Sequence, residues 1–169
     1  MNYQLFVDLD GVLADFDAGV YETTGSFPHQ LSPRTMWPAL ARTPDFYARL
    51  PWMPDGKELW AFVSPLDPVI LTGLPLGKWA RPQKLEWCRR ELGEEVPVIT
   101  CMSREKPRSA QDWINDHSAD APTPVLVDDR PRILQKWESI GGIFVHHTGA
   151  QNSMRQLVTL GIGTPPPEG

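Results

Sequence analysis

The sequence predicts an α/β protein, a parallel sheet wound by right-handed crossovers with a small helical insert directly after the first strand. Three observations carry this expectation. Five short apolar runs recur along the chain and end at polar or turn residues. Longer stretches with helical spacing separate the later runs. The first and second runs lie roughly fifty residues apart, far more than one crossover needs, and that interval is rich in proline and aromatic residues.

The runs are Leu5–Leu9, Pro68–Leu71, Val96–Thr100, Pro124–Val127 and Gly142–Val145. Short, continuous and β-branched or aromatic, they fit strands buried on both faces of a sheet. Trp79–Leu92 reads as a helix with Leu85, Cys88 and Leu92 on one face. Pro107–His117 and Pro131–Ile140 each open with a proline suited to a first helical turn, and the second places Ile133, Leu134 and Trp137 at helical intervals. Gln151–Leu160 carries Met154, Leu157 and Val158. Residues 17–65 form the expected cap, which holds Tyr21, Phe27, Trp37, Phe46, Tyr47, Trp52 and Trp60. The core then comprises residues 1–16 and 66–163. The tail 164–169, with three consecutive prolines, is expected to be disordered. Trp79, Trp87, Trp113 and Trp137 fall in the helices and read as packing residues.

At 169 residues and 41% hydrophobic, the chain suits one domain with a sizeable core. A formal net charge of −5 argues against non-specific binding along long nucleic acid. It leaves open a small anionic substrate, because local cations and a metal hold one in an acidic protein. Cys88 and Cys101 show no metal-binding spacing and are expected to be free thiols. With no leader-like segment and no apolar run long enough to cross a membrane, the expected location is the cytoplasm.

The strongest chemical signal is Asp8-Leu9-Asp10-Gly11-Val12, at the exit of the first strand. In an open parallel sheet, ligands bind beyond the carboxyl ends of the strands. Asp8 stands at such an end. Asp10 turns back to the same opening as the strand unwinds, and Gly11 permits the tight exit. One carboxylate can attack phosphorus and form an aspartyl-phosphate. The other can protonate the leaving oxygen and then deprotonate the attacking water. Taken alone, the same pattern fits an ordinary solvent-exposed acidic turn equally well.

Three further strand exits give it context. Val127-Asp128-Asp129 adds hard oxygen ligands that, with Asp8, suit Mg²⁺, and the ion would offset repulsion between nucleophile and substrate. Leu71-Thr72-Gly73 offers a hydroxyl beside backbone N–H groups able to hold phosphate oxygens. Lys106 can clamp the phosphate and neutralise Asp8. His146 and His147, at the last strand exit, would suggest a transition metal, but the carboxylates already account for a hard cation. Arg130 either pairs with a carboxylate or meets substrate.

In this order the chain resembles the haloacid dehalogenase superfamily, whose four motifs map onto Asp8/Asp10, Thr72, Lys106 and Asp128/Asp129. The resemblance spans residues 3–150 and implies a Rossmann-like three-layer parallel sheet with a small helical cap after the first strand. It implies Asp8 as nucleophile, Asp10 as general acid/base, and Thr72 and Lys106 as phosphate holders. The implied magnesium ligands are Asp8, Asp10 through its backbone carbonyl, and Asp128, with Asp129 in support. The run Asp8–Phe16, Lys84-Leu-Glu-Trp87 leading to Leu92-Gly93, and Arg104-Glu105-Lys106 are similar to the 5′(3′)-deoxyribonucleotidase family, which also carries a helical cap there. In that family aromatic residues of the first motif and the cap flank the base. Phe16 matches the first, and Phe46 is the cap candidate. The chain departs from the family in its short, proline-rich cap and in Gly73, a substrate-binding position where the family usually has serine.

The expected function is therefore a magnesium-dependent phosphomonoesterase acting on nucleoside monophosphates. The alternatives are a phosphatase for a sugar phosphate or a nucleic-acid 3′-phosphate, and a phosphate-binding module that does not hydrolyse. The presence of both Asp8 and Asp10 counts against the last. Neither a membrane nor long nucleic acid is an expected partner.

Overall fold

The computed structural model describes residues 1–165 and 167. Five strands, β1 (Tyr3–Val7), β2 (Val69–Gly73), β3 (Val98–Cys101), β4 (Thr123–Asp128) and β5 (Ile143–His146), form one all-parallel sheet in the order β3-β2-β1-β4-β5. Every expected strand is present, displaced by at most two residues at either end. The chain builds outward from β1 through β2 to β3, then returns to lay β4 against the other side of β1. This reversal makes a switch point between β1 and β4, the place where an open α/β sheet leaves a crevice at its carboxyl edge.

Seven α-helices accompany the sheet among the described residues: α1 (Phe16–Thr24), α2 (Pro33–Arg42), α3 (Gly56–Val63), α4 (Ala80–Leu92), α5 (Lys106–His117), α6 (Leu134–Glu138) and α7 (Ala150–Thr159). Alternation along the strands divides the core in two. Leu5, Val7, Ile70, Val125 and Val127 pack with Val20, Leu59, Trp87, Cys88, Met154 and Leu157 from the helices of one face. Phe6, Val69, Leu71 and Leu126 pack with Ala110 and Ile114 of α5 and Trp137 of α6 on the other. Phe6 and Trp137 meet edge-on at 5.8 Å, an arrangement that adds about 1 kcal/mol beyond the area buried.

Two expectations about local structure are corrected. The first apolar run does not continue as strand to Leu9. After Val7 the chain coils, and the N–H groups of Leu13 and Ala14 both donate to the Leu9 carbonyl at 2.9 Å. In α4 the buried face is Ala80, Lys84, Trp87 and Cys88, with Leu85 only half-buried. A lysine occupies a core position of that helix because it has buried partners, described below.

The insert after β1 contains α1, α2, an irregular turn over residues 44–50, and α3. Ser32 caps α2, its hydroxyl accepting from the Thr35 N–H at 3.3 Å, and Pro33 takes the first helical position. The turn is fastened to α4 by three hydrogen bonds. Tyr47 N–H donates to Gln83 (2.8 Å), Trp87 Nε1 to the Leu50 carbonyl (2.8 Å), and Arg90 to the Ala48 carbonyl (2.6 Å). Helix α3 packs on α7, and the Asp55 carboxylate accepts from the Ala150 N–H at 2.7 Å, capping α7 from outside its own sequence. The end of the insert is thus tied to the core.

Both cysteines are free. No helix among the described residues is long and apolar enough to cross a membrane. Of the tail expected to be disordered, residues 164–169, positions 166, 168 and 169 lie outside the described residues.

Candidate functional site

Asp8 and Asp128 leave neighbouring strands at one level. Val7 stands opposite Val127 in the β1–β4 register, and the Asp8 N–H donates to the Val127 carbonyl at 2.9 Å. Lys106, the first residue of α5, reaches between them. Its Nζ lies 3.0 Å from Asp8 Oδ1 and 2.7 Å from Asp128 Oδ2, and all three residues are buried. Asp8, Asp128 and Asp129 each offer an oxygen within 4.8 Å of the others. The remaining Asp128 oxygen accepts from the Arg130 N–H at 2.9 Å. Asp129 Oδ1 is buried with no hydrogen-bond partner among the described residues. Gly11 makes this approach possible. Its φ of +78° suits glycine, and a Cβ there would collide with the Asp129 carboxylate.

The electrostatics follow from that crowding. Burial opposes the Lys106 charge, but Asp8 and Asp128 together outweigh it and hold the ammonium above the ordinary lysine range. Burial, then the Asp8 charge, pushes Asp128 up to about 6 against the pull of Lys106. Burial, then Asp8 and Asp128, pushes Asp129 up to about 7. A hard divalent cation fits such a place. It would satisfy the orphaned Asp129 oxygen and relieve the repulsion that raises both carboxyl groups.

A second constellation stands beside the first, organised by a residue the sequence reading did not place in the site. Lys84 of α4 is 1% exposed, and its Nζ donates to Asp10 Oδ2 (2.7 Å), Thr72 Oγ1 (3.0 Å) and the Gly73 carbonyl (2.6 Å). The ammonium also lies 4.5 Å from the centre of the Tyr47 ring, close enough for cation–π attraction. Asp10 keeps its other oxygen, Oδ1, buried and without a partner among the described residues. The Asp10 side chain therefore belongs to the Lys84 group, while Asp8, Asp128 and Asp129 form a separate carboxylate group. Thr72 is fully buried, its hydroxyl engaged by Lys84. A usable signal was present in the sequence: a lysine three and four residues before Trp87 and Cys88, on the face that had to be buried.

Both groups open into a cavity of about 210 Å³ whose walls include Asp8, Asp10, Lys106 and Arg130. Phe16 lines it. The cap aromatics that join it are Trp37 and Tyr47. Phe46 packs edge-on against Phe16 (5.8 Å) and Tyr47 (5.0 Å), and its outer side meets a separate cavity with Gly19 and Leu50. Neighbouring residues of an irregular turn point different ways, so Tyr47 rather than Phe46 reaches the opening. Burial, then the Asp10 charge, holds the Tyr47 hydroxyl above its ordinary range, so it stays protonated at neutral pH. Gly73 also lines the cavity, and a Cβ on it would collide with the Ser103 hydroxyl. Ser103 brings a hydroxyl to the space that a side chain at position 73 would otherwise fill.

The histidines do not join either group. His147 is buried, its ring Nδ1 paired with the Ser153 hydroxyl at 2.7 Å and its N–H donating to the Asp128 carbonyl at 2.9 Å. Burial lowers its proton affinity. It links the β5 exit to α7, while His146 is exposed. Arg130 presents its N–H to Asp128 and its side chain to the cavity wall. No protein-family model matches the chain, and no curated protein matches it.

Proposed function

We propose that this protein is a magnesium-dependent phosphomonoesterase of the haloacid dehalogenase type, with nucleoside monophosphates as substrates. One observation carries the reading: Lys106 bridges Asp8 and Asp128 at the sheet's switch point, with Asp129 alongside. Asp8, Asp128 and Asp129 would hold the cation, which supplies charge neutralisation for the transferring phosphoryl group.

Lys106 fixes one oxygen of Asp8, leaving the other to attack phosphorus. The Asp8 O–P bond forms as the bond to the leaving oxygen breaks, and Asp10 delivers a proton to that oxygen. Lys84 holds Asp10 by one oxygen only, so the second is free for this transfer. Water then attacks phosphorus and gives its proton to Asp10, the Asp8–phosphorus bond breaks, and phosphate leaves. Ser103 and the Lys106 ammonium are the groups placed to hold phosphate oxygens. Phe16, Trp37 and Tyr47 offer flat apolar surface for a base and shield the site from water.

A cavity of about 210 Å³ is smaller than the roughly 300–1,000 Å³ usual for ligand pockets, which favours as second reading a compact ester such as a sugar phosphate. Phosphate release across nucleoside monophosphates and sugar phosphates, with Mg²⁺ and with chelator, separates the two. Release is expected in Mg²⁺ and not in chelator. Asp8→Asn is expected to abolish it while leaving the circular dichroism spectrum and Tm near those of the parent. Near-parental turnover by that variant would remove Asp8 from the chemistry and with it the proposal.

A further inference from the structure

A second cavity, about 570 Å³, opens beside the first and shares Leu74, Ser103, Lys106 and Arg130 with it. Its exposed charges are all positive. Arg104 comes from the turn before α5, Arg130 and Arg132 from the exit of β4, and Lys136 from α6. The acidic residue of its wall, Asp128, is buried and already held by Lys106. Arg130, Arg132 and Lys136 form no ion pair among the described residues, and Arg104 has only a 3.8 Å contact with Glu105. This gathering of cations stands in a chain whose formal net charge is −5. Like charges collected from separate elements with few counter-charges create a positive local potential, and an anion seated among them relieves the repulsion.

We propose that this groove binds a second phosphoryl group of the substrate. The preferred substrate is then a small phosphomonoester carrying two phosphates, of the nucleoside bisphosphate class. The proposal rests on the phosphohydrolase reading above and narrows it. The phosphate to be cleaved lies against Asp8 and Lys106. The base lies against Phe16, Trp37 and Tyr47 of the first cavity, and the second phosphate turns into the groove, which borders that cavity at Leu74, Ser103, Lys106 and Arg130. Lys106 and Arg130 form the shared border, so the two anions sit on either side of a cationic divide. Guanidinium groups suit the task, because their planar forks match phosphate oxygens in pairs. The second phosphate is held and not cleaved, since the groove contains no free carboxylate to attack it.

A simpler role for the same cations is long-range steering, which would speed the arrival of anionic substrates in proportion to their charge and would vanish at high ionic strength, where direct contacts to a bound phosphate persist. The test separates the two with three substrates: a nucleoside 5′-monophosphate, the matching nucleoside 3′,5′-bisphosphate, and p-nitrophenyl phosphate, which has no second anion. Each is assayed in Mg²⁺, at low and high ionic strength, with the parent protein and with the double variant Arg132→Gln/Lys136→Gln. The parent is expected to show a kcat/KM about tenfold to a hundredfold higher for the bisphosphate than for the monophosphate, the range charge-assisted contacts to one phosphate give. The variant is expected to lose that preference and keep its rate on p-nitrophenyl phosphate. Equal rates of the parent on mono- and bisphosphate would overturn the proposal while leaving the hydrolase intact. A bisphosphate preference of the parent that disappears at high ionic strength, or a fall of the variant on p-nitrophenyl phosphate as well, would assign the cations to steering and also overturn it. A free inorganic anion as the occupant would show itself differently: sulfate would alter turnover of p-nitrophenyl phosphate by the parent but not the variant, with no bisphosphate preference. Absence of phosphate release from all three substrates would overturn the hydrolase reading and the second-phosphate site together.

Discussion

Replacing Lys84 with methionine keeps the length of the side chain and removes its charge and its three donors. In the parent, Nζ donates to Asp10 Oδ2 at 2.7 Å, Thr72 Oγ1 at 3.0 Å and the Gly73 carbonyl at 2.6 Å, with 1% of the side chain exposed. Removing one partner of a buried ion pair costs about 3–5 kcal/mol, because the other charge is left uncompensated. Asp10 is 20% exposed, so water recovers part of that cost, while two acceptors also lose a donor. The net expectation is a loss of about 3–4 kcal/mol, or roughly 10 °C in Tm for a domain of this size. The effect on chemistry is distinct. A general acid/base contributes about 10²- to 10⁴-fold, and an Asp10 no longer held by one oxygen spends less time aligned. We expect kcat to fall roughly a hundredfold on alkyl phosphates, whose leaving oxygen needs a proton, and much less on p-nitrophenyl phosphate, whose leaving group does not. Steady-state kinetics on both substrates, at a temperature where the variant is folded, reads this split. In an Asp10→Asn background, Lys84→Met is expected to cost little further activity, because the two act as a unit. Parental stability and kcat in Lys84→Met would refute the reasoning. So would an equal loss on both substrates, or an undiminished loss in the Asp10→Asn background.

Two further predictions concern the carboxylate group. Asp128 and Asp129 sit above the ordinary carboxyl range, at about 6 and about 7, so both take up protons as pH falls through neutrality. A cation binds the deprotonated forms, so magnesium affinity should weaken by about tenfold per pH unit and per displaced proton below about pH 7. Calorimetry in buffers of different ionisation enthalpy should detect the released protons, and an affinity flat from about pH 8 to about pH 5.5 would contradict the assignment. Gly11→Ala places a Cβ against the Asp129 carboxylate at a φ of +78°. Tm in magnesium should fall by an amount matching about 1–3 kcal/mol, and the gain in Tm on adding magnesium should shrink with it. An unchanged response to magnesium would mean that Asp129 does not depend on the close approach at Gly11.

Much of the architecture was legible because it depends on local pattern and chain order. Short β-branched runs separated by helical spacing specify a parallel sheet, and the long interval after the first run marks the insert. In such a sheet the strand exits share one edge, so Asp8, Lys106 and Asp128 could be assigned to it from their order, whereas Thr72, expected to hold phosphate, is buried with its hydroxyl turned to Lys84. The helix faces were less legible. Leu85, Cys88 and Leu92 form an apolar stripe in sequence, yet α4 buries Ala80, Lys84, Trp87 and Cys88. Hydrophobicity is a poor guide where a buried lysine is neutralised by a carboxylate from another strand exit.

The sequence by itself determined the strand–helix alternation, the insert and the carboxylates at the first and fourth strand exits, because each follows from residue type and spacing along a few turns of chain. Tertiary structure alone decided which groups meet. It turned Tyr47 rather than Phe46 to the cavity, brought Ser103 to the space beside Gly73, gave Asp10 to Lys84, and gathered Arg104, Arg130, Arg132 and Lys136 into one groove. The physical reason is the same in each case. These contacts join residues from different elements, and their partners are set by how irregular turns and helix faces pack, which no local period encodes.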